Sequence, residues 1–108
     1  SYFCRCMIIY NETYIIDDSI QQQWLNWMQT VQIPAIMQTG WFNSYKILTI
    51  LNSPNEGVTY CIQLMTDTPE KYGYFQEQHQ QKFHQSHNQQ FENKFVLFNH
   101  LMQLIDEK

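Results

Sequence analysis

The stretch HQQKFHQSH (residues 79–87) concentrates three of the chain's four histidines in nine positions. Histidine is a frequent metal ligand and the most frequent general base in proteins. An ideal helix over 68–93, turning about 100° per residue, places His79 at the centre of its buried stripe. His87 then falls at the flank and His84 towards solvent. His79 and His87 lie roughly 12 Å apart along such a helix axis. One straight helix therefore cannot bring three ligands to one ion, and we predict no metal site.

The two histidines predicted to approach the sheet are the candidates for chemistry. His79 is either a general base, or ligand-orienting group, in a pocket between helix and sheet, or a histidine at the core edge with one hydrogen bond. His100 lies in the last predicted strand and shares a face with Val96 and Phe98. It could contribute to a pocket or to a dimer interface. For each histidine, a functional role and a purely structural role both stay open.

Other polar and aromatic residues could assist these histidines. Asn99 and Tyr60 are candidates for orienting a substrate beside either base. Trp24 and Trp27, together with His79, could line a site for a small, flat aromatic ligand. The same tryptophans lie on one helical stripe with other apolar residues, which is equally typical of a core.

Composition excludes several classes of function. The formal net charge is −4 with only six Lys and Arg, which is unlike a nucleic-acid-binding or anionic-membrane-binding protein. The chain has no Gly-rich phosphate loop, G-x-S-x-G, H-E-x-x-H or C-x-x-C motif. We therefore predict no cofactor. Charged residues make up only 15% of the chain, and such a weakly charged surface favours self-association.

The chain is predicted to form one domain over residues 7–108, after an N-terminal extension at 1–6. The extension carries Cys4 and Cys6, and three cysteines without framework spacing do not indicate a disulfide scaffold. We find neither a signal-peptide pattern nor an apolar run of roughly 20 residues that could span a bilayer. A cytoplasmic location is the expectation.

Hydrophobic periodicity predicts the order β-α-β-β-α-β, an α+β, ferredoxin-like fold whose four-stranded antiparallel sheet carries two helices on one face. Asp17–Ser19 and Thr68–Pro69 carry helix-start residues. Pro34 is expected to interrupt the first helix. The predicted elements are strands at 7–16, 41–52, 58–65 and 95–105, and helices from about 20 and over 68–93.

The second face of the predicted sheet keeps too much apolar surface for a monomer, which indicates a second copy of the chain. In the last strand Phe95 and Leu97 alternate with Val96 and Phe98, so either face presents large apolar side chains. The helices can cover only one face, and an open antiparallel sheet normally leaves a polar second face. We therefore predict a homodimer through the uncovered sheet face, of the dimeric α+β barrel kind.

Four stretches together resemble a family of short, uncharacterised bacterial proteins, a domain of unknown function common in Bacteroidetes. They are MIIYNETYIIDDSI (7–20), WLNWMQTVQIPAIMQTGWFNSYKIL (24–48), GVTYCIQL (57–64) and HNQQFENKFVLFNHLM (87–102). The resemblance implies the dimeric α+β barrel fold, shared with cofactor-free monooxygenases. The family also tends to have a histidine before the Ile-Pro matched by Ile33 and Pro34, where this chain has Gln32. If that histidine were catalytic, this chain would lack it.

Two hypotheses of function follow. The first is a homodimer that is non-catalytic or binds a small hydrophobic ligand. The alternative is a cofactor-free monooxygenase or isomerase acting on a small hydrophobic or aromatic substrate, with His79 or His100 as base. The enzyme hypothesis requires a pocket of about 300 Å³ or more beside one of these histidines.

Overall fold

The computed structural model of the protein describes residues 7–108, so the predicted extension at 1–6, with Cys4 and Cys6, lies outside the described residues. The strands form one antiparallel sheet in the order β2-β3-β1-β4, and their order along the chain confirms the predicted β-α-β-β-α-β fold. They are β1 (Ile8–Ile16), β2 (Ser44–Thr49), β3 (Val58–Thr66) and β4 (Phe95–Gln103).

The central strand β1 sets the two faces of the sheet. It pairs along its whole length with β3 on one side and β4 on the other. Because successive side chains of a strand point to opposite faces, Tyr10, Glu12 and Tyr14 lie on the side that carries the helices. β2 is shorter than the predicted strand at 41–52, because the bend after Gly40 extends through residue 43 and the chain turns again at 51–52, where Asn52 has a positive φ of 57°.

The first helical segment runs from Asp18 to Gln38 and continues through Pro34. It begins with a 3₁₀ turn, Asp18–Ile20, capped by the Asp17 side chain, which accepts a hydrogen bond from the Ser19 backbone N–H. The segment continues as α1 (Gln21–Trp27), a π-helical turn (Met28–Gln32) and α2 (Ile33–Gln38). The expectation that Pro34 interrupts the helix is wrong. Pro34 occupies the first turn of α2, directly after the π turn, where its missing N–H is tolerated.

The second helical segment follows the same plan. Thr68 caps it as predicted, its hydroxyl accepting a hydrogen bond from the Lys71 backbone N–H at 3.2 Å. It runs through α3 (Pro69–Phe75), a π turn (Gln76–Gln80) and α4 (Gln81–Phe91), and Asn93 with a φ of 65° ends it. No helix within residues 7–108 is long and apolar enough to cross a membrane.

Both helical segments pack on one face of the sheet and leave the other face uncovered. The core between them is dominated by aromatic and branched side chains, including Trp24, Tyr14 and Phe75. We call the uncovered side the open face. Its strand residues are Ile9, Asn11, Thr13, Ile15, Ser44, Lys46, Leu48, Thr59, Cys61, Gln63, Met65, Val96, Phe98, His100 and Met102. Several of its large apolar side chains are exposed, among them Leu48, Val96, Phe98 and Met102.

Candidate functional site

A buried carboxylate lies at the centre of the helix side of the sheet. Glu12 occupies the middle of β1, opposite Ile62 of β3 and Asn99 of β4, and is only 5% exposed. The alternation of β1 that directs Tyr10 and Tyr14 into the core directs Glu12 there too. A carboxylate is rarely buried to this degree unless its oxygens are hydrogen-bonded.

Three donors surround the Glu12 carboxylate. The Tyr14 hydroxyl donates to Oε1 at 2.9 Å, and the Tyr10 hydroxyl donates to Oε2 at 3.0 Å. His84 Nε2 lies 2.8 Å from Oε2. Hydrogen bonds to a charged acceptor are stronger than neutral ones, so this arrangement offsets the cost of taking the carboxylate out of water.

The two tyrosines are held as donors by their surroundings. Burial raises the pKa of the Tyr10 hydroxyl, and the neighbouring Glu12 charge and hydrogen bond raise it further. Burial and then Glu12 likewise raise the pKa of Tyr14 well above its ordinary value. The Tyr10 hydroxyl also accepts a hydrogen bond from Gln80 Nε2 at 2.7 Å. Both hydroxyls therefore remain protonated and fixed in direction.

The π turn of the second helical segment is what brings His84 to this carboxylate. A π turn inserts one residue into the helix, so every side chain after it is rotated relative to an ideal helix. Gln80 and His87 consequently join the buried stripe, and His84 reaches Glu12. The projection that placed His84 towards solvent and His87 at the flank is wrong because it assumed 3.6 residues per turn throughout.

His84 links the buried carboxylate to the surface. Its side chain is 33% exposed, and it borders an open groove of about 460 Å³. The other residues of this groove, which we call the His84 groove, are all amides: Gln76, Gln80, Gln81, Gln85 and Asn88. The hydrogen bond to Glu12 raises the pKa of His84, although partial burial opposes this. Because Glu12 accepts from Nε2, Nδ1 is the ring nitrogen available to a ligand.

The interior side of Glu12 is filled. The enclosed space next to it, bordered by Gln32, Phe83 and Gln80 among others, has no room for a water molecule. Gln32 lies at the end of the first π turn and donates from Nε2 to the Phe83 carbonyl at 3.0 Å. Gln32 thus lies beside the carboxylate and ties the two helical segments together.

His87 has a structural environment instead. It is 1% exposed, and its Nε2 accepts a hydrogen bond from Trp24 Nε1 at 2.7 Å. The rings of Tyr14 and Phe95 lie 4.8 and 4.4 Å from it, centre to centre. Burial lowers the pKa of His87 to about 4. It is therefore a neutral histidine at neutral pH.

The sequence candidates do not come together at one site. Trp24 is fully buried and stacks on Tyr60 at 5.1 Å, and the Tyr60 hydroxyl accepts a hydrogen bond from the Gln21 side chain. Trp27 packs against the rings of His87 and Phe91. These contacts place both tryptophans in the core or at its edge.

The two histidines nominated as bases are also apart. His79 is half-buried beside the rings of Phe75 and Phe83, and borders open surface grooves of about 460 and 320 Å³. It does not occupy the centre of the buried stripe, contrary to the helix projection. His100 is exposed on the open face, whereas Asn99 is exposed on the helix side of β4, opposite Glu12. Within residues 7–108, no three His, Cys, Asp or Glu residues are grouped to hold a metal ion.

Sequence reasoning missed Glu12, Gln80 and His84. One indication was present, because Glu12 is the only acidic residue in the apolar strand IIYNETYII and occupies an inward position of its alternation. A charged side chain on a core face is an unusual observation that calls for a partner. Nothing in the local pattern indicated that the partner was His84.

Solved structures similar to this chain share its fold at low sequence identity. A protein of unknown function from Bacteroides thetaiotaomicron, described as a possible oxidoreductase, is 6% identical with a TM-score of 0.65, covering 94% of this chain and 100% of its own. A dimeric ferredoxin-like protein from an uncultured marine organism is 8% identical, with a TM-score of 0.62, and the match covers 95% of this chain and 98% of that protein. A protein of the EthD family from Bacillus halodurans is 11% identical, with a TM-score of 0.63, and the match covers 86% of this chain and 96% of that protein.

Comparison at the level of sequence identifies the family. No curated protein sequence matches the chain. Residues 7–105, nearly the whole of the described part, match the family described as a domain of unknown function (DUF4286). This confirms the resemblance found in the four sequence stretches, and the chain belongs to the DUF4286 family.

Proposed function

We propose that the protein is a homodimer that binds a small ligand at the His84 groove without transforming it. The observation that carries the proposal is the Glu12–His84 hydrogen bond of 2.8 Å, which orients an imidazole at the surface. The adjacent interior is filled, so a ligand must bind in the open groove and not in an enclosed chamber. Most enzymes exclude water from the reacting atoms, which an open groove does poorly.

The groove defines the chemistry of the ligand. Its wall is made of amide side chains, which donate and accept hydrogen bonds but carry no charge. His84 Nδ1 adds one acceptor when the ring is neutral. A small hydroxylated molecule fits this set best, with its O–H donated to His84 and its body lying along the helix.

Two matched probes test the groove. At a pH where the His84 ring is neutral, we expect phenol, but not toluene, to shift the NMR signals of the side-chain amides that line the groove in a saturable way, since only phenol has an O–H to donate. His84→Gln should abolish these phenol-induced shifts, and His79→Gln should leave them unchanged. Equal shifts with both probes, or the same loss in both variants, would contradict the proposed site.

The proposed dimer forms through the open face. Its exposed apolar side chains surround β1 and would be buried by a second copy packed sheet to sheet. Similar solved structures from an uncultured marine organism and from Thermobifida fusca are described as dimeric ferredoxin-like proteins. Sheet packing of two like faces gives a closed two-fold assembly and leaves no further open face.

Two exposed valines provide a controlled test of the dimer. Val96 is 49% exposed on the open face, and Val31 is 48% exposed on the first helical segment. Light scattering should give about twice the 13.1 kDa chain mass for the native protein and for Val31→Lys. Val96→Lys should shift the mass towards one chain, because the added positive charge would be buried without an acidic partner among the strand residues of the open face. A monomeric native protein at micromolar concentration would contradict the proposal.

A second candidate is a cofactor-free monooxygenase or isomerase, and the Glu12–His84 pair is the observation that favours it. A carboxylate that orients an imidazole and stabilises its protonated form is a recurring arrangement of general bases. In this version the base is His84, and not His79 or His100. The proton of a substrate C–H or O–H moves to His84 Nδ1 while the bonding electron pair stays on the substrate.

Deuterium exchange separates the two candidates. A base at His84 should accelerate the exchange of the α-hydrogens of a ketone probe, acetophenone, above the rate in buffer. The acceleration should be lost in His84→Gln and kept in His79→Gln. An exchange rate equal to that of buffer, with phenol binding intact, would favour the non-catalytic proposal.

A further inference from the structure

A row of four polar side chains crosses the open face from one edge of the sheet to the other. The strand register places Lys46 opposite Gln63, Gln63 opposite Asn11, and Asn11 opposite His100. Directly paired residues of antiparallel strands point to the same face, so these four side chains lie side by side. We call them the polar row.

The two central amides of the row are already oriented. Gln63 Nε2 donates to Asn11 Oδ1 at 3.3 Å, and Asn11 Nδ2 donates to the Thr13 hydroxyl at 2.9 Å. The Asn11 oxygen therefore accepts one hydrogen bond, and each amide nitrogen retains a second hydrogen. The centre of the row offers N–H donors in fixed positions.

Apolar side chains border the polar row. Leu48 and Phe98 lie in the next row on one side, and Met65, Ile9 and Met102 lie in the next row on the other side. A second copy that covers these apolar residues also removes water from the polar row. Buried polar groups that lose water without gaining a partner cost free energy.

Among its described strand residues, the open face has one cation, Lys46, and no Asp or Glu. Two copies packed through this face would bring two lysines into one interface with no acidic strand residue to balance them. Positive groups near one another in a partly dry interface repel, and a bound anion would relieve that repulsion.

We propose that the polar row is a binding site for a small oxyanion, a carboxylate or a phosphate, which is completed when the second copy covers the open face. The amide N–H groups of Asn11 and Gln63 donate to the anion, Lys46 balances its charge, and the His100 ring is a further N–H donor. The inference rests on the proposed dimer. It is independent of the His84 groove, which lies on the opposite side of the sheet.

The test measures dimer affinity in different anions. Analytical ultracentrifugation of the full chain gives the dimer dissociation constant in phosphate, acetate and chloride at equal ionic strength. We expect phosphate or acetate to tighten the dimer by about fivefold or more relative to chloride, the usual lower range for two coupled binding events. Which of the two acts identifies the oxyanion as a phosphate or a carboxylate.

Variants locate the effect. Lys46→Met and His100→Gln should each reduce the tightening, whereas Lys82→Met, an exposed lysine on α4, should retain it. A dimer that responds equally to all three anions would overturn the anion site alone. Tightening that survives both open-face variants would overturn it as well. A chain that stays monomeric in every buffer would overturn both this site and the proposed dimer.

Discussion

Replacing Glu12 by glutamine tests the central cluster. Glutamine has the same shape but only one acceptor oxygen, whereas the carboxylate accepts from Tyr10, Tyr14 and His84. In the least costly orientation, the oxygen of the new amide takes the position of Glu12 Oε2. There it still accepts hydrogen bonds from Tyr10 and His84. The fully buried Tyr14 hydroxyl then loses its charged acceptor and faces an N–H₂ group.

The expected cost follows from these contacts. One hydrogen bond to a charged group, at about 1.5–3 kcal/mol, is lost, and the two remaining bonds are weakened because their acceptor becomes neutral. We expect the free energy of unfolding to fall by about 2–4 kcal/mol, a large share of the stability of an average domain. The pKa of His84 should also fall towards its ordinary value, because Glu12 is what raises it.

Two measurements check this prediction. Urea denaturation at fixed protein concentration gives the change in unfolding free energy, and an NMR titration gives the pKa of His84. Glu77→Gln, an exposed carboxylate of the same helical segment, is the control. A loss in Glu12→Gln below about 0.5 kcal/mol, the usual range for surface substitutions, would refute the proposed role of the carboxylate. An unchanged His84 pKa would refute it equally.

Two further predictions concern the core and the hairpin turn. Because burial lowers the pKa of His87 to about 4 from 6.5, the folded state resists protonation. The stability that neutral His87 contributes is complete above pH 6.5, and about 3 kcal/mol of it is lost as the pH falls to 4. His87→Gln should flatten that part of the pH–stability curve, and an unchanged curve would contradict the assignment. Gly57 and Gly40 have positive φ of 85° and 84°, but an added Cβ would clash with the Ile16 carbonyl oxygen only at Gly57. Gly57→Ala should therefore lower the thermal midpoint more than Gly40→Ala, and equal shifts would show that backbone strain alone matters.

Most of the fold could be predicted from sequence because its determinants are local. The strand at 7–16 and the Thr68–Pro69 helix start are predicted from short-range patterns, and the structure confirms both. The length of the first helical segment could not be predicted in the same way. Pro34 is a local helix breaker, but the preceding π turn lets the helix continue.

The candidate site was less accessible to sequence reasoning. The three histidines of HQQKFHQSH look equivalent in sequence, yet one pairs with a carboxylate, one is buried against Trp24, and one borders surface grooves. A single extra residue in the π turn decides between these outcomes by rotating α4. The resulting partners lie 72 and 63 positions away along the chain.

The sequence alone determined the order of strands and helices, the apolar character of both sheet faces and the family of the chain. Each of these depends on periodicity or on residue identity at neighbouring positions, which a linear pattern records. Only the tertiary structure decided that Glu12 is a buried acceptor and that His84, not His79, is its partner. The π turns set the rotation of both helical segments, and their positions depend on packing against the sheet that no local pattern encodes.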